Sequence, residues 1–231
     1  DSAEPATMPL LVDLAWAEAM VLDHDHPASG EPELRAARAA VSEAVVLDLG
    51  ASGATRWPAL WDLVARLADH LAMIQDGSTW AEAAIRATRR AVETCPVDSP
   101  DLPRQLNNLS IRLARLYGAT GALGALQEAY DTARRAVDVT PARSPELAVR
   151  LANLANRMGE MHQAGADDTM LDQAIDTSRR AITVAAPDRP DLAVLYDNLS
   201  AHLFQAHRAG GRTGGRLDEA AHPFSTTIGE D

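Results

Sequence analysis

The chain has no lysine, a single cysteine and only nine aromatic residues (two Phe, three Tyr, four Trp) among 231. With Cys95 alone, no intrachain disulfide is available, and nothing in the sequence suggests an oxidising compartment. Aromatics make up 4% against 46% hydrophobic residues overall, so the core must be built from Ala, Leu, Val and Met. That mixture suits closely packed helices, because Ala and Leu favour helix and Ala lets helix axes approach. All 21 basic residues are arginine, a bias that suggests a GC-rich genome more than a mechanism. No excess of positive charge exists either. A net charge of −12 argues against a surface for nucleic-acid phosphates, so no nucleic-acid partner is expected.

No apolar run approaches the ~20 residues needed to cross a bilayer, so no membrane partner is expected. The first nine residues place no basic segment ahead of an apolar one, so a secretory signal is not expected and a cytoplasmic location is. A phosphate-binding glycine loop, a Gly-x-Ser-x-Gly elbow and a His-Glu-x-x-His pair are all missing. The expectation is therefore a non-catalytic chain without cofactor. Asp23, His24, Asp25 and His26 could each ligate a metal. Ligands so close in sequence rarely complete a coordination sphere, so a polar interhelical loop is the better reading and no metal site is predicted.

What the chain does have is a period. Arg-Arg-Ala-Val at 89–92 returns at 134–137, and Arg-Arg-Ala-Ile follows at 179–182, each 45 residues after the last. Pro100, Pro145 and Pro190 keep the step, as do Leu102, Leu147 and Leu192. So do Asn108-Leu109-Ser110, Asn153-Leu154-Ala155 and Asn198-Leu199-Ser200. Such a period marks a stack of equivalent supersecondary units that presents a long surface.

Each unit reads as two helices. Ser99-Pro100-Asp101 and Ser144-Pro145-Glu146 combine a serine that caps free N–H groups, a proline that fits the first helical position and an acid that complements the helix dipole. Leu106, Leu109, Leu113 and Leu116 then recur at helical spacing, matched by Leu151, Leu154, Met158 and Met161 and by Tyr196, Leu199, Leu203 and Ala206. Glycine turns at Gly118 to Gly121, Gly165 and Gly210-Gly211 end these helices. The second helices carry Leu126, Ala129, Ala133, Ala136 and Val137, then Leu171, Ala174, Ser178, Ala181 and Ile182, and Pro96, Pro141 and Pro187 close them.

Nothing alternates with period two, so no sheet is expected. Upstream, Trp57 to Gln75 pairs with a helix carrying Trp80, Ala84, Thr88, Ala91 and Val92. The predicted organisation is a divergent acidic helical hairpin over 1–50, with ten acids against two arginines, and a degenerate repeat over 51–97. Repeats over 98–142 and 143–187 follow, then a truncated or capping repeat over 188–231. Spacing of this length also suits HEAT and armadillo arrays.

Helix pairs with small residues at their crossing resemble tetratricopeptide (TPR) repeats. Leu116-Tyr117-Gly118-Ala119-Thr120-Gly121, followed by Ala125-Leu126-Gln127-Glu128-Ala129-Tyr130, resembles the long repeats of bacterial and fungal TPR–CHAT proteins. There an Asn-Asn-Leu helix leads to Tyr-x-x-Thr-Gly and then Asp-Leu-x-x-Ala-Ile. Met170-Leu171 and Arg216-Leu217 depart from that Asp-Leu. The resemblance covers about 80–225 well and the rest loosely. It implies an all-α, right-handed superhelical solenoid of antiparallel hairpins. By function it implies a protein- or peptide-binding sensor or scaffold of a larger bacterial protein, with a CHAT-type peptidase module as effector. No CHAT catalytic segment is present, and Cys95, beside Pro96 at the end of a repeat helix, reads as a small buried or half-buried residue.

A row on the first helices is the candidate site. Asn108, Arg112 and Arg115 lie four and seven residues apart, on one helix face. Asn153, Arg157 and Glu160 repeat the row, then Asn198, His202 and Gln205. The resemblance places this row in a concave groove. An asparagine amide both donates and accepts, so it can clamp a peptide bond, while Arg112, Arg115, Arg157 and His202 would favour carboxylates. The same asparagines could instead bond a neighbouring helix's backbone. Self-association through the exposed end of the array is the alternative function, and an enzyme with a site in the superhelix cavity a more distant one. For the Arg-Arg pairs, Asp131 with Arg135 and Asp176 with Arg180 predict solvated i,i+4 ion pairs.

Overall fold

The computed structural model describes residues 58–74, 78–167 and 169–208. These residues form seven helices and no strand: α1 (Pro58–Ile74), α2 (Ser78–Thr94), α3 (Leu102–Thr120), α4 (Leu123–Asp138), α5 (Leu147–Gln163), α6 (Thr169–Val184) and α7 (Leu192–Arg208). The predicted hairpin over 1–50, its Asp23–His26 loop, Gly210-Gly211 and the restart at Leu217 lie outside the described residues. The chain divides into two compact units, 1–112 and 113–231, and the division falls within α3.

The 45-residue period is visible in the backbone hydrogen bonds that open each first helix. Leu102 N–H donates to Ser99 C=O, Leu147 N–H to Ser144 C=O and Leu192 N–H to Arg189 C=O, at 3.2, 3.1 and 3.2 Å. Each serine hydroxyl accepts a hydrogen bond, Ser99 Oγ from Asp101 N–H at 3.2 Å and Ser144 Oγ from Glu146 N–H at 3.3 Å, but it does so in a turn ahead of the helix. The helices begin at Leu102 and Leu147, so the prolines precede them, and the N-cap of α5 is Glu146 rather than a serine. The third start is built differently. Arg189 stands where the serines stood, pairs with Asp191, and reaches back to the Pro145 carbonyl. That hydrogen bond from Arg189 holds the Asp191 carboxyl below the usual carboxylate range.

The first helices end in two distinct left-handed caps. Gly121 (φ +69°) donates to Tyr117 C=O at 2.7 Å, a single-bond αL cap. Gly165 (φ +95°) donates to His162 C=O while Ala166 reaches Met161 C=O, the paired bonds of a Schellman cap. Gly118 is different in kind, an exposed glycine inside α3 with open space around it.

In the first unit α1 packs on α2, with Val64, Leu67, Ala68 and Leu71 buried on one helix and Ala84, Ala87 and Ala91 on the other. In the second unit one core cluster joins α4, α5, α6 and α7 through Ala133, Val137, Leu151, Met158, Ala174 and Leu195. A further cluster ties Leu171 and Ile175 of α6 to Leu199 and Leu203 of α7. Second helices thus present mostly alanine and first helices mostly leucine, which sets axes close together. Each fully buried leucine contributes about 1.5–3 kcal/mol. Cys95 is buried, as its place beside Pro96 suggested. The ion pairs of the Arg-Arg motifs fall one residue earlier than expected. Asp131 meets Arg134 at 3.8 Å and Asp176 meets Arg179 at 3.1 Å, both i,i+3. One reason is visible at Arg134, whose guanidinium also lies over the Tyr130 ring, 5.9 Å from its centroid.

The two glycines of the α3 terminus should respond in opposite directions to alanine. Gly118→Ala should raise stability by about 0.5–1 kcal/mol, because glycine is the poorer helix former and nothing obstructs the methyl group. Gly121→Ala should lower it by about 1 kcal/mol or more, because alanine must adopt positive φ. Thermal melts of the two variants check both signs.

Candidate functional site

The seven residues of the predicted row separate into two kinds once their surroundings are known. Asn108, Asn153 and Asn198 are half-buried at equivalent places on α3, α5 and α7, and Arg115 is exposed. Arg112 and His202 are buried at 7% and 3% exposure, and Arg157 is nearly so.

In the first unit, Arg112 of α3 is held by Asp69 of α1. Its Nη2 lies 2.6 Å and its Nε 3.0 Å from Asp69 Oδ2. Two turns earlier, Arg104 Nη1 donates to Asp62 Oδ2 at 2.9 Å. Asp62 is itself buried, so its charge needs this partner. These pairs join one first helix to the next, across 42 and 43 residues of sequence.

In the second unit the same 43-residue offset brings His202 of α7 against Gly159 of α5. A Cβ at position 159 would stand 2.9 Å from His202 Cδ2 and 3.0 Å from Nε2, so only glycine admits the ring at this distance. His202 Nδ1 shares a hydrogen bond with Ser178 Oγ of α6 at 3.0 Å. Burial pushes this imidazole down to about 4, so it is neutral near pH 7. Arg157, one helix turn from Asn153, pairs with Glu160 on its own helix at 2.8 Å. Burial lowers the arginine's pKa and raises the glutamate's, each opposed by the partner's charge. Glu160 Oε2, Arg157 Nε and, on α7, Gln205 Oε1 are buried without a protein partner.

The structure therefore places Arg112 and His202 in the contact between successive first helices, and Arg157 in a pair along α5. Their side chains are already occupied by Asp69, by Gly159 with Ser178, and by Glu160. The asparagines and Arg115 keep part of their surface outward. The sequence reading passed over Asp62, Asp69 and Gly159, and read Ser178 only as a packing position of its helix. The signal for the first three was an acid or a glycine on one first helix 42–43 residues before an arginine or histidine on the next. Among the described residues no group of three His, Cys, Asp or Glu side chains could hold a metal, and no helix is long and apolar enough to cross a membrane.

No protein-family model matches the sequence, and no curated protein matches it significantly. Solved structures do match. The nearly identical TPR-like repeats of a kinesin-light-chain-type protein from Podosopora anserina align over 92% of this chain and 93% of theirs, with a TM-score of 0.54 at 12% identity. A point variant of those repeats aligns over 96% of both chains, with a TM-score of 0.56 at 13% identity. The likeness establishes an all-α, TPR-like helical-repeat fold.

Two consequences are measurable. Gly159→Ala should destabilise the chain by about 1–3 kcal/mol, because overpacking against a buried ring outweighs alanine's better helix propensity. A denaturant melt checks this. His202 binds a proton more weakly folded than unfolded, so its share of stability is intact above about pH 6.5 and is lost as pH falls towards 4. The loss reaches up to about 3 kcal/mol. The difference in pH dependence between the wild type and His202→Gln, from urea melts at pH 4.5 and 7.5, isolates that share.

Proposed function

We propose that this chain is a non-catalytic protein- or peptide-binding module whose ligand is held by the asparagines of the first helices, Asn153 and Asn198 in the second unit and, at the equivalent place in the first, Asn108. One observation carries the reading: the three asparagines recur at a single repeat position and stay half-buried. Two of the polar side chains one turn onward, Arg112 and His202, are buried in helix packing. A side chain kept polar and partly outward in each repeat is suited to a ligand that is itself periodic. An extended peptide is such a ligand. Within the second unit, α5 and α7 packed about 8–10 Å apart would meet it about every third residue, at ~3.3 Å per residue.

The chemistry expected of the ligand changes with the geometry. Arg112 is neutralised by Asp69, Arg157 by Glu160, and His202 is uncharged near neutral pH. Arg115 is the exposed cation of the row. Recognition would then rest on asparagine amides bonding the peptide backbone, with one arginine for a carboxylate, rather than on a stripe of positive charge. The long-repeat resemblance extends the proposal to a sensor or scaffold role within a larger cytoplasmic bacterial protein, with a CHAT-type domain as effector.

Peptides selected on the full chain from a displayed random library, then measured by fluorescence anisotropy, test the row. An amide hydrogen bond is worth about 0.5–1.5 kcal/mol, so Asn108→Ala, Asn153→Ala and Asn198→Ala together should weaken binding about tenfold or more, with helicity by circular dichroism retained. Arg115→Ala should weaken carboxylate-bearing peptides selectively. Arg112→Ala should instead lower the melting temperature. Unchanged affinity in the folded triple variant overturns the assignment.

A further inference from the structure

The repeat register exposes a second surface, separate from the asparagine row. On α5, Ala148, Ala152, Ala155 and Gly159 form one stripe at helical spacing, and all four are buried. Gly159 is the member that receives the following first helix, through His202. Forty-five residues on, the same stripe of α7 reads Ala193, Asp197, Ser200 and Phe204. Here Ser200 is half-buried and the other three are exposed, Phe204 at 57%. The α7 stripe also breaks the composition rule. Where α5 carries a glycine, α7 carries an outward aromatic ring.

What the equivalent positions of this chain hold identifies the occupant. Asp197 lies three repeats on from Asp62, which accepts a hydrogen bond from Arg104 of the next first helix. Phe204 lies three repeats on from Asp69, which accepts from Arg112 of that same helix. Arg104 and Arg112 stand eight residues apart on α3. A helix with basic residues at that spacing would set one guanidinium on the Asp197 carboxylate and the other against the Phe204 ring. Phe204 already accepts such a group, since Arg208 lies over it at 6.0 Å from the centroid. Charge favours this occupant over a second copy, because the chain carries a net charge of −12.

We infer that the Asp197–Phe204 face of α7 docks a basic amphipathic helix, with arginine or lysine at two positions eight residues apart, in the place a next first helix would take.

The probe is a helix-stapled peptide of residues 102–118, which carries Arg104 and Arg112. Its binding to the full chain is measured by anisotropy at low and moderate salt. Saturable binding is expected, weakened about tenfold by Asp197→Lys and also by Phe204→Ala, and reduced by salt. Both positions are exposed, so the variants should melt like the wild type. A charge-swapped peptide with Arg104→Glu should bind Asp197→Lys better than it binds the wild type, which a merely unfolded variant could not do. No binding, or equal binding by wild type and both variants, overturns the inference. So does concentration-dependent dimerisation of the wild type, by sedimentation, that Asp197→Lys abolishes, because the occupant would then be a second copy.

Discussion

Everything distinctive in this molecule depends on how closely one first helix can approach the next. A helical hairpin of two amphipathic segments cannot bury its apolar face alone, so stability must come from neighbours. In each compact unit such a contact links residues 43 apart in sequence, Asp69 with Arg112 and Gly159 with His202. There the chain uses two different solutions. Asp69 and Arg112 place opposite charges in a partly buried site, where each offsets the other's desolvation. Gly159 and His202 replace charge with shape, a missing side chain on one helix admitting a neutral ring from the other. The first is directional and polar, the second steric, yet both occupy the same offset.

That constraint explains why polar residues recur on faces that also pack. Position 112 and its counterpart 202 are polar for reasons of contact, while the asparagines one turn before them remain half-buried. These helices therefore carry two polar positions with different surroundings one turn apart. The role of Arg112 and of His202 follows from the residue 43 places upstream and cannot be read from the side chain itself.

Much of the architecture was legible in the sequence. The leucine stripes, the alanine faces, the prolines that close second helices and the glycines that end first helices all follow from local rules, and local rules operate within one helix. Gly121 and Gly165 were readable because a left-handed turn needs glycine wherever it occurs. The site was less legible because its meaning lies between helices. Arg112 and Arg115 look alike in sequence, and only the acid on α1 distinguishes a tethered arginine from an exposed one. His202 reads in sequence as a cationic ligand contact, and its burial beside Ser178 makes it neutral. The Arg-Arg motifs erred by one residue, since i,i+3 and i,i+4 partners both lie within reach and geometry chooses between them.

The split character of these contacts has an evolutionary consequence. Because each contact is shared by two repeats, no repeat is chemically complete, and neighbours are matched pairs rather than interchangeable modules. Deletion of residues 143–187 would set the His202 ring against Ala114, whose Cβ stands where Gly159 has none, and duplication of the same unit would set Arg157 against Gly159. The order of units is thereby written into their joints. Such an array can drift by coordinated change across a joint, but it resists the simple gain and loss of units by which tandem arrays ordinarily lengthen and shorten.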